Sequence, residues 1–387
     1  MTQATAVYTR APESEEAGRQ LGQQLRDALG PEVHAIVVFA GPIYDHTALL
    51  RELSLACPSP AMIGCSSAGE FAGTLRGDNA ACAIGFVSED ILFTPALGRH
   101  VDAQPEQAAT EVVAAFRGPH THDYRYRTAL VLADALAGQM DPLIEALTQA
   151  TAGIYQFVGG GAGDNAQFVD TPVFFQNEVA HNAVVALELL SKKPIGIGVQ
   201  HGWEPASERM RVTGASGLRL ISLNAISPVE VFTEYARRTG QHFDPDHPIP
   251  FFLHNILGIW TNGNWRLRVP LAVGEDGSIT CAAEIPPGAT VAILRASIQS
   301  AAHAARTAAS EAVRQLGDYP GEAAILFDCV ATRLRLGADF DQELTTVADA
   351  VGKMEIVGCN THGQIARAEG QFSGFHNCTA VVCVIPS

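Results

Sequence analysis

"HAIVVFAGPIYDHTALLRELSLACPSPAMIGCSSAGE", residues 34–70, is the stretch from which the fold can be read. An apolar run from Val33 to Ala40 reads as a buried strand. A helical spacing then opens near Asp45 with Leu49, Leu50 and Leu53 on one side, and a second apolar run ends in a glycine turn. Strand, helix, strand implies a parallel, right-handed crossover. The plan returns in "TALVLADALAGQMDPLIEALTQATAGIYQFVGGGAGD", residues 128–164, with Asp141 in place to cap a helix and Pro142 at its first position. It returns again in "AAILFDCVATRLRLGADFDQELTTVADAVGKMEIVGCNTHGQ", residues 323–364.

Each glycine turn is followed, after a gap of differing length, by an Asn at the head of another apolar strand: Asn79, Asn182 and Asn377. Gaps of unequal length are expected to form solvent-facing hairpins that tolerate insertion. The fold class is therefore α/β, mixed α+β: two domains with mixed, partly parallel sheets covered by helices, and an internal pseudo-repeat of strand, helix, strand, Gly turn and hairpin. Three units at unequal spacing favour pseudo-symmetric domains over a solenoid. Between the second and third units "MRVTGASGLRLISLN" and "ITCAAEIPPGATVAILRAS" alternate like strands, and Ser227, Pro228 and Glu230 open a helix. Trp260 and Trp265 flank a turn at Asn262-Gly263, and "SIQSAAHAARTAASEAVRQLG" reads as a long helix. The boundary is placed at Asn224, giving 1–32 as an N-terminal helical extension, 33–224 as the first domain and 225–387 as the second.

A chain of 387 residues exceeds one ordinary core, and 47% hydrophobic with 17% charged residues is a globular balance. The net charge of −16 opposes binding to nucleic acid and to anionic membranes, which both need clustered Lys and Arg. The first residues hold no apolar leader and no stretch reaches the ~18 apolar residues of a membrane span, so a cytoplasmic location is expected. The eight cysteines include no C-x-x-C pair and are expected reduced and mostly buried; zinc-site spacing is missing, so no structural metal is expected.

"IGCSSAGEF", "VGGGAGD", "SGLRLISLNAISPVEVFTEYA", "FDCVATRLRLGADFDQEL" and "VGCNTHGQI" followed by "HNCTAVV", in that order, resemble the FIST family of prokaryotic intracellular sensory proteins, from about residue 33 to the end. The resemblance implies a small-ligand sensing module of signal transduction, the ligand an amino acid or similar small polar metabolite. It would act through a separate partner such as a histidine kinase or a diguanylate-cyclase system. Some members are described as haem-dependent nitric-oxide sensors, so haem is the alternative cofactor, with His181 and His376 as its ligand candidates; otherwise no cofactor is expected. The oligomeric state is not legible.

The ligand-binding residues implied are Cys65, Ser66, Ser67, Gly69 and Glu70 in the first turn, and Gly160, Gly161, Gly163 and Asp164 in the second. Cys359, Asn360, Thr361, Gly363 and Gln364 follow in the third, together with Arg333 and Asn377. The family's last turn usually ends in Gly-Glu, and here it is Gly363-Gln364.

Each has a plainer reading. Cys65 after a strand resembles a nucleophile elbow, which would make the chain a Cys-dependent hydrolase or transferase, with Cys65 or Cys359 served by His376. Yet no helix pattern follows, and Glu70 in place of a cation opposes a thiolate. The glycine cluster of the second turn lacks the Lys and Ser/Thr of a phosphate loop, and Asp164 reads as the cap of a tight turn. Arg333, leaving a buried strand, needs a partner: a ligand carboxylate, Glu70 or Asp328. The three Asn suit left-handed turn geometry.

Overall fold

The computed structural model describes residues 1–118, 121, 123–261, 263–367 and 374–387. Its α/β architecture is built from mixed sheets covered by helices. In the first unit Asp45 accepts a bond from the Ala48 N–H at 3.1 Å and so caps the helix His46–Ala56, whose Leu49, Leu50 and Leu53 are buried. That helix joins the parallel strands Ala35–Ala40 and Met62–Ser66. The same parallel pairing joins Tyr126–Ala133 to Gln156–Gly161 and Gly321–Cys329 to Glu355–Thr361.

Three six-stranded sheets share one order of parts. Each starts at an edge strand (Thr2–Thr9, Ile91–Arg99 or Gly196–Gln200), continues through the Asn-headed strand (Ala81–Ser88, Ala183–Ser191 or Ala380–Pro386) and then the parallel pair. It closes with a hairpin taken from another unit. The hairpin strand Glu70–Ala72 pairs with Glu355–Thr361, Val173–Phe175 pairs with Met62–Ser66, and Gln364–Arg367 pairs with Gln156–Gly161. First gives to third, third to second, second to first. The hairpins, expected to face solvent, are therefore embedded in neighbouring sheets, and Glu70, Phe71 and Ala72 are all buried. Their unpaired edges would otherwise be exposed, and pairing satisfies them.

One face of each sheet meets the others in a shared core where Phe39, Leu132, Phe327, Cys65 and Cys359 are 2% exposed or less. Phe39 and Phe327 pack edge to face with centroids 5.9 Å apart. The outer faces are covered by helices: Ser14–Leu29 and His46–Ala56 on the first, Pro105–Ala115 and Met140–Ala150 on the second, Ile298–Gln315 and Phe340–Val351 on the third. One glycine in each unit is required by this packing. A Cβ would lie 2.1 Å from the Val38 carbonyl oxygen at Gly64, 1.9 Å from that of Val131 at Gly159, and 2.1 Å from that of Leu326 at Gly358.

Three expectations change in detail. Residues 1–32 hold, besides a helix, the strand Thr2–Thr9, paired over its whole length with Ala81–Ser88; its alternation is short and its Thr-rich composition gives a weak signal. Asp141 does not cap a helix. The helix starts at Met140 behind Gln139, and Asp141 in its first turn is drawn instead to Arg266 and Arg268. Of the turn expected at Asn262-Gly263, Asn262 lies outside the described residues.

The segment between the second and third units forms a further sheet from Met210–Ser216, Arg219–Leu223, Ile256–Thr261, Asn264–Arg268, Pro270–Val273, Ile279–Cys281 and Thr290–Arg295. The helix Pro228–Thr239, capped by Ser227, packs on it. This sheet draws strands from both sides of Asn224. Among the described residues no helix is long and apolar enough to cross a membrane.

Candidate functional site

The three glycine turns leave the ends of the parallel strands and meet. The Ala68 N–H donates to the Asn360 carbonyl and the Asn360 N–H to the Gly69 carbonyl, both at 2.8 Å. Gly161 and His362 exchange with the third turn in the same way: Gly161 N–H to Gly363 at 2.9 Å, and His362 N–H to Gly161 at 3.0 Å. Gly163 N–H to Ser66 at 3.0 Å closes the ring. The residues of all three turns are thus brought to one place by backbone bonds, which is why small residues dominate them. Gly163 admits no side chain because Ala68 Cβ would stand 2.9 Å away.

Within the ring most of the expected ligand contacts are engaged with each other. Cys65 and Cys359 point into the shared core and are 0% exposed, so neither lines a cavity; burial, then contact with Cys65, pushes the Cys359 thiol up. This removes the nucleophile reading, since a reactive thiol needs exposure and a cation. Ser67 donates to Glu70 at 2.5 Å, and Glu70 also accepts the Ala80 N–H at 2.9 Å. Burial pushes the Glu70 carboxyl up to about 7 against these bonds. The Gln364 amide lies between Thr361 Oγ1, 2.8 Å away, and the Thr379 backbone. Arg333 pairs with neither Glu70 nor Asp328; its Nη1 reaches Asp78 at 2.5 Å, because it leaves the strand on the helix Val330–Leu336 and runs over Gly69. Ser66 Oγ, Asn360 Nδ2, Asn377 Oδ1 and Arg333 Nε are buried without a hydrogen-bond partner among the described residues.

Asp164 does cap its turn. Its carboxylate accepts the N–H groups of Gln167, Phe168, Val169 and Asp170 at 2.6–3.1 Å. Burial works against its charge, but the bonds from Val169, Asp170 and Phe168 and the nearby His362 outweigh it and hold the carboxyl below its usual range. The loop is wound around that carboxylate with Asn165, Ala166 and Phe168 at φ of 56°, 62° and 56°. Non-glycine residues in this region are strained, and such strain gathers at functional sites.

What the loop achieves is to set Phe168 on the His362 ring, centroids 4.7 Å apart and planes at 27°. The His362 side chain is 4% exposed; Asp164 Oδ1 stands 3.4 Å from Nε2, yet neither ring nitrogen makes a hydrogen bond among the described residues. Burial drives its pKa down to about 4, so the ring is neutral. His362 and Phe168 form one wall of a cavity of about 330 Å³. Leu136, Met140, Leu218 and Leu271 contribute apolar surface and Asp141 a polar edge. The inserted sheet supplies the opposite wall through Leu218, Leu271 and residues 280–284. Sequence reasoning named the flanking Thr361 and Gly363 but missed His362 and Phe168. The signal for His362 was present: the other turns carry Ala68 and Gly163 where this one carries an imidazole.

The two histidines proposed for haem do not fit it. His181 lies at the surface, 3.1 Å from Asp170. His376 is 3% exposed and its pKa is driven to about 3 by burial and by Arg266 and Arg268, whose charges oppose a metal cation there. Among the described residues no group of three His, Cys, Asp or Glu side chains could hold a metal ion.

A FIST N domain matches residues 34–226 and a FIST C domain residues 228–367, so the chain belongs to the FIST family, whose domains are sensory modules of signal transduction. It is similar to the uncharacterized protein Rv0628c of Mycobacterium tuberculosis, 24% identical over 383 residues and 96% of both chains. The uncharacterized protein Mb0898c of Mycobacterium bovis is 23% identical over 390 residues and 95% of both. Among solved structures, a cyanuric acid hydrolase from A. caulinodans aligns over 99% of both chains at 10% identity and a TM-score of 0.34, too distant to carry an argument.

Proposed function

We propose that this sensory protein binds a compact molecule with an apolar body and one polar head in the cavity walled by His362 and Phe168. The observation that carries the reading is His362: a buried, neutral imidazole, 3.4 Å from the Asp164 carboxylate, with no hydrogen bond at either nitrogen among the described residues, in the lining of a largely apolar cavity. An unpaired buried polar group costs about 1–3 kcal/mol, and a ligand that bonds to it recovers that cost. A volume of about 330 Å³ suits a small metabolite. An amino acid with an apolar side chain has the right chemistry, its side chain against Leu136, Leu218 and Leu271 and its polar end toward His362.

The cavity lies between the ring and the inserted sheet, so an occupant contacts both and favours one arrangement of the two over another. A separate partner, a histidine kinase or a diguanylate-cyclase system, would read that arrangement. The buried Cys65 and Cys359 support binding over catalysis. A thermal-shift screen of amino acids, repeated with His362→Ala and Phe168→Ala, tests the reading. A dose-dependent rise in melting temperature with an apolar amino acid, lost in both variants, supports it. A rise that survives His362→Ala removes the ligand from this cavity, and a stoichiometric Soret band in the purified protein replaces the metabolite with haem.

A further inference from the structure

At the far end of the second sheet a larger, open cleft of about 990 Å³ separates the second and third units. The strand Tyr126–Ala133 connects the two ends: Tyr126 lines this cleft, and Ala135, just beyond the strand, lines the cavity beside His362. Eight residues at ~3.3 Å each put about 25 Å between them. In a chain of net charge −16, the lining of this cleft includes Arg125, Arg127, Arg314 and Arg367. Among the described residues the one acidic side chain in the lining is Glu311, which is already bound to Arg314 at 2.6 Å.

The four arginines are presented differently. Arg367 is pinned by its Nη1, which donates to the carbonyls of Gly153 and Tyr155 at 3.2 and 2.6 Å. Arg127 has its Nε buried without a hydrogen-bond partner among the described residues. Arg125 lies over the Tyr126 ring, its guanidinium carbon 5.6 Å from the ring centroid. Arg314 is 72% exposed at the rim.

The fold does not require this charge. The first and third units form a related cleft from the start of Glu355–Thr361, the hairpin strand Glu70–Ala72, the edge strand Thr2–Thr9 and the helix Ser14–Leu29; beside it, Glu322 takes the place of Arg127 in register and accepts the Ala4 N–H at 3.1 Å. Its lining comes from Thr2–Thr9, Gln24, Ala72, Gly73, Leu75 and residues 354–356, with Glu355 as the charged residue and no arginine. Glu355 there accepts the Ala6 N–H at 2.9 Å, a structural bond. A framework position that is neutral or acidic in one copy has become a concentration of guanidinium groups in the other. Guanidinium forks match phosphate oxygens, and a concave cleft of this volume holds a molecule of nucleotide size.

We propose that this cleft is a second binding site, separate from the His362 cavity, for a small phosphate-bearing molecule with more than one phosphate group. Arg127 and Arg367 form its fixed floor and Arg125 and Arg314 close on the ligand from the rim.

The test is calorimetric titration of the full chain with inorganic pyrophosphate, ATP and AMP, without divalent metal, at low salt. Saturable binding of pyrophosphate and ATP is expected, with AMP weaker by about tenfold or more, and affinity falling steeply with added salt. Arg125→Gln and Arg314→Gln, both at exposed positions, should each weaken binding by about tenfold with the melting temperature unchanged. Arg51→Gln, an exposed arginine on another helix, should leave it untouched. Absence of saturable binding by all three probes overturns the proposal. So does binding indifferent to Arg125 and Arg314, which places the anion elsewhere, or a polyglutamate peptide binding more tightly than pyrophosphate, which makes the cleft a protein-docking surface.

Discussion

Glu70→Gln is the substitution whose effect can be worked most fully from the ring. Glu70 is 0% exposed, its ordinary pKa of 4.5 raised to about 7 chiefly by burial, with the Ser67, Ala80 and Gly69 bonds and Arg333 opposing. A carboxyl raised in the folded state binds its proton more tightly folded than unfolded. Its contribution to stability is therefore complete below the unfolded pKa and is lost as pH rises through 7. Integrating between pH 5 and pH 8 with those two values gives a loss of about 2–3 kcal/mol. Glutamine cannot titrate, and its amide can still accept from the Ala80 N–H while donating to Ser67. The third turn already carries glutamine, Gln364, at the matching place in its hairpin.

Buried histidines act in the opposite sense. His362, His376, His46, His201 and His254 all have lowered pKa values, led by burial, so they withdraw stability as pH falls below their unfolded value of 6.5. These contributions are common to both proteins and cancel in the difference. Urea unfolding followed by circular dichroism at half-unit steps from pH 5 to 8 measures that difference. The stability of the variant relative to the parent should rise by about 2–3 kcal/mol across the range. A flat difference, or a fall, would mean that Glu70 is not held in a desolvated site and that the ring is open to water at this point.

Four further outcomes are expected. Asp164→Ala removes an acceptor for four backbone N–H groups and should cost about 2 kcal/mol, with new proteolytic cleavage within 165–170 seen by mass spectrometry. Gly159→Ala, which would place a Cβ 1.9 Å from the Val131 carbonyl oxygen, should cost more than about 4 kcal/mol or prevent accumulation of folded protein. Gly73→Ala, with nothing within 4 Å, should cost about 1 kcal/mol for its φ of +56°. All eight cysteines are buried, so a thiol reagent should label the native protein only at the rate of its unfolding, and rapid labelling of Cys65 or Cys359 would reopen the nucleophile reading.

The crossover units were legible because their signals are local. Leu49, Leu50 and Leu53 share a helix face, Asp45 has a free backbone N–H within reach, and a glycine lies within each second strand, at Gly64, Gly159 and Gly358. The exchange of hairpins was not legible, because Glu70–Ala72 carries the same residues whether it pairs with its own unit or with Glu355–Thr361. Partner choice is made by long-range closure, which leaves no period in the sequence. For the site, the turns were named in the sequence, but several of their side chains lie in the core or bond to one another. Cys65 and Glu70 look reactive in one dimension and are core in three. Phe168 looks like a strand residue in "QFVDTPVFF", and its role depends on a left-handed backbone that Asp164 imposes four residues away.

The ring also constrains how a signal could leave the cavity. His362 is tied by its own N–H to Gly161, and Gly161 by its N–H to Gly363, so the backbone at His362 cannot shift without breaking two bonds that flank it. Each is buried, and an unmade one costs about 1–3 kcal/mol. Gly161 in turn belongs to the strand Gln156–Gly161, and Gly363 leads directly into Gln364–Arg367, which pairs with that strand over four residues. A local adjustment at His362 is therefore more costly than moving the second and third units together as bodies. The inserted sheet meets the ring at the cavity through side chains: Leu218 and Leu271 by apolar contact, and Arg266 and Arg268 by pairing with Asp141 and reaching the Phe375 carbonyl. The cavity lies on the boundary between ring and inserted sheet, where these ties run from side chains and not from paired backbone. Ligand occupancy should thus be expressed as a change in how the inserted sheet sits on a rigid three-unit ring, since packed cores switch between discrete arrangements more readily than they deform.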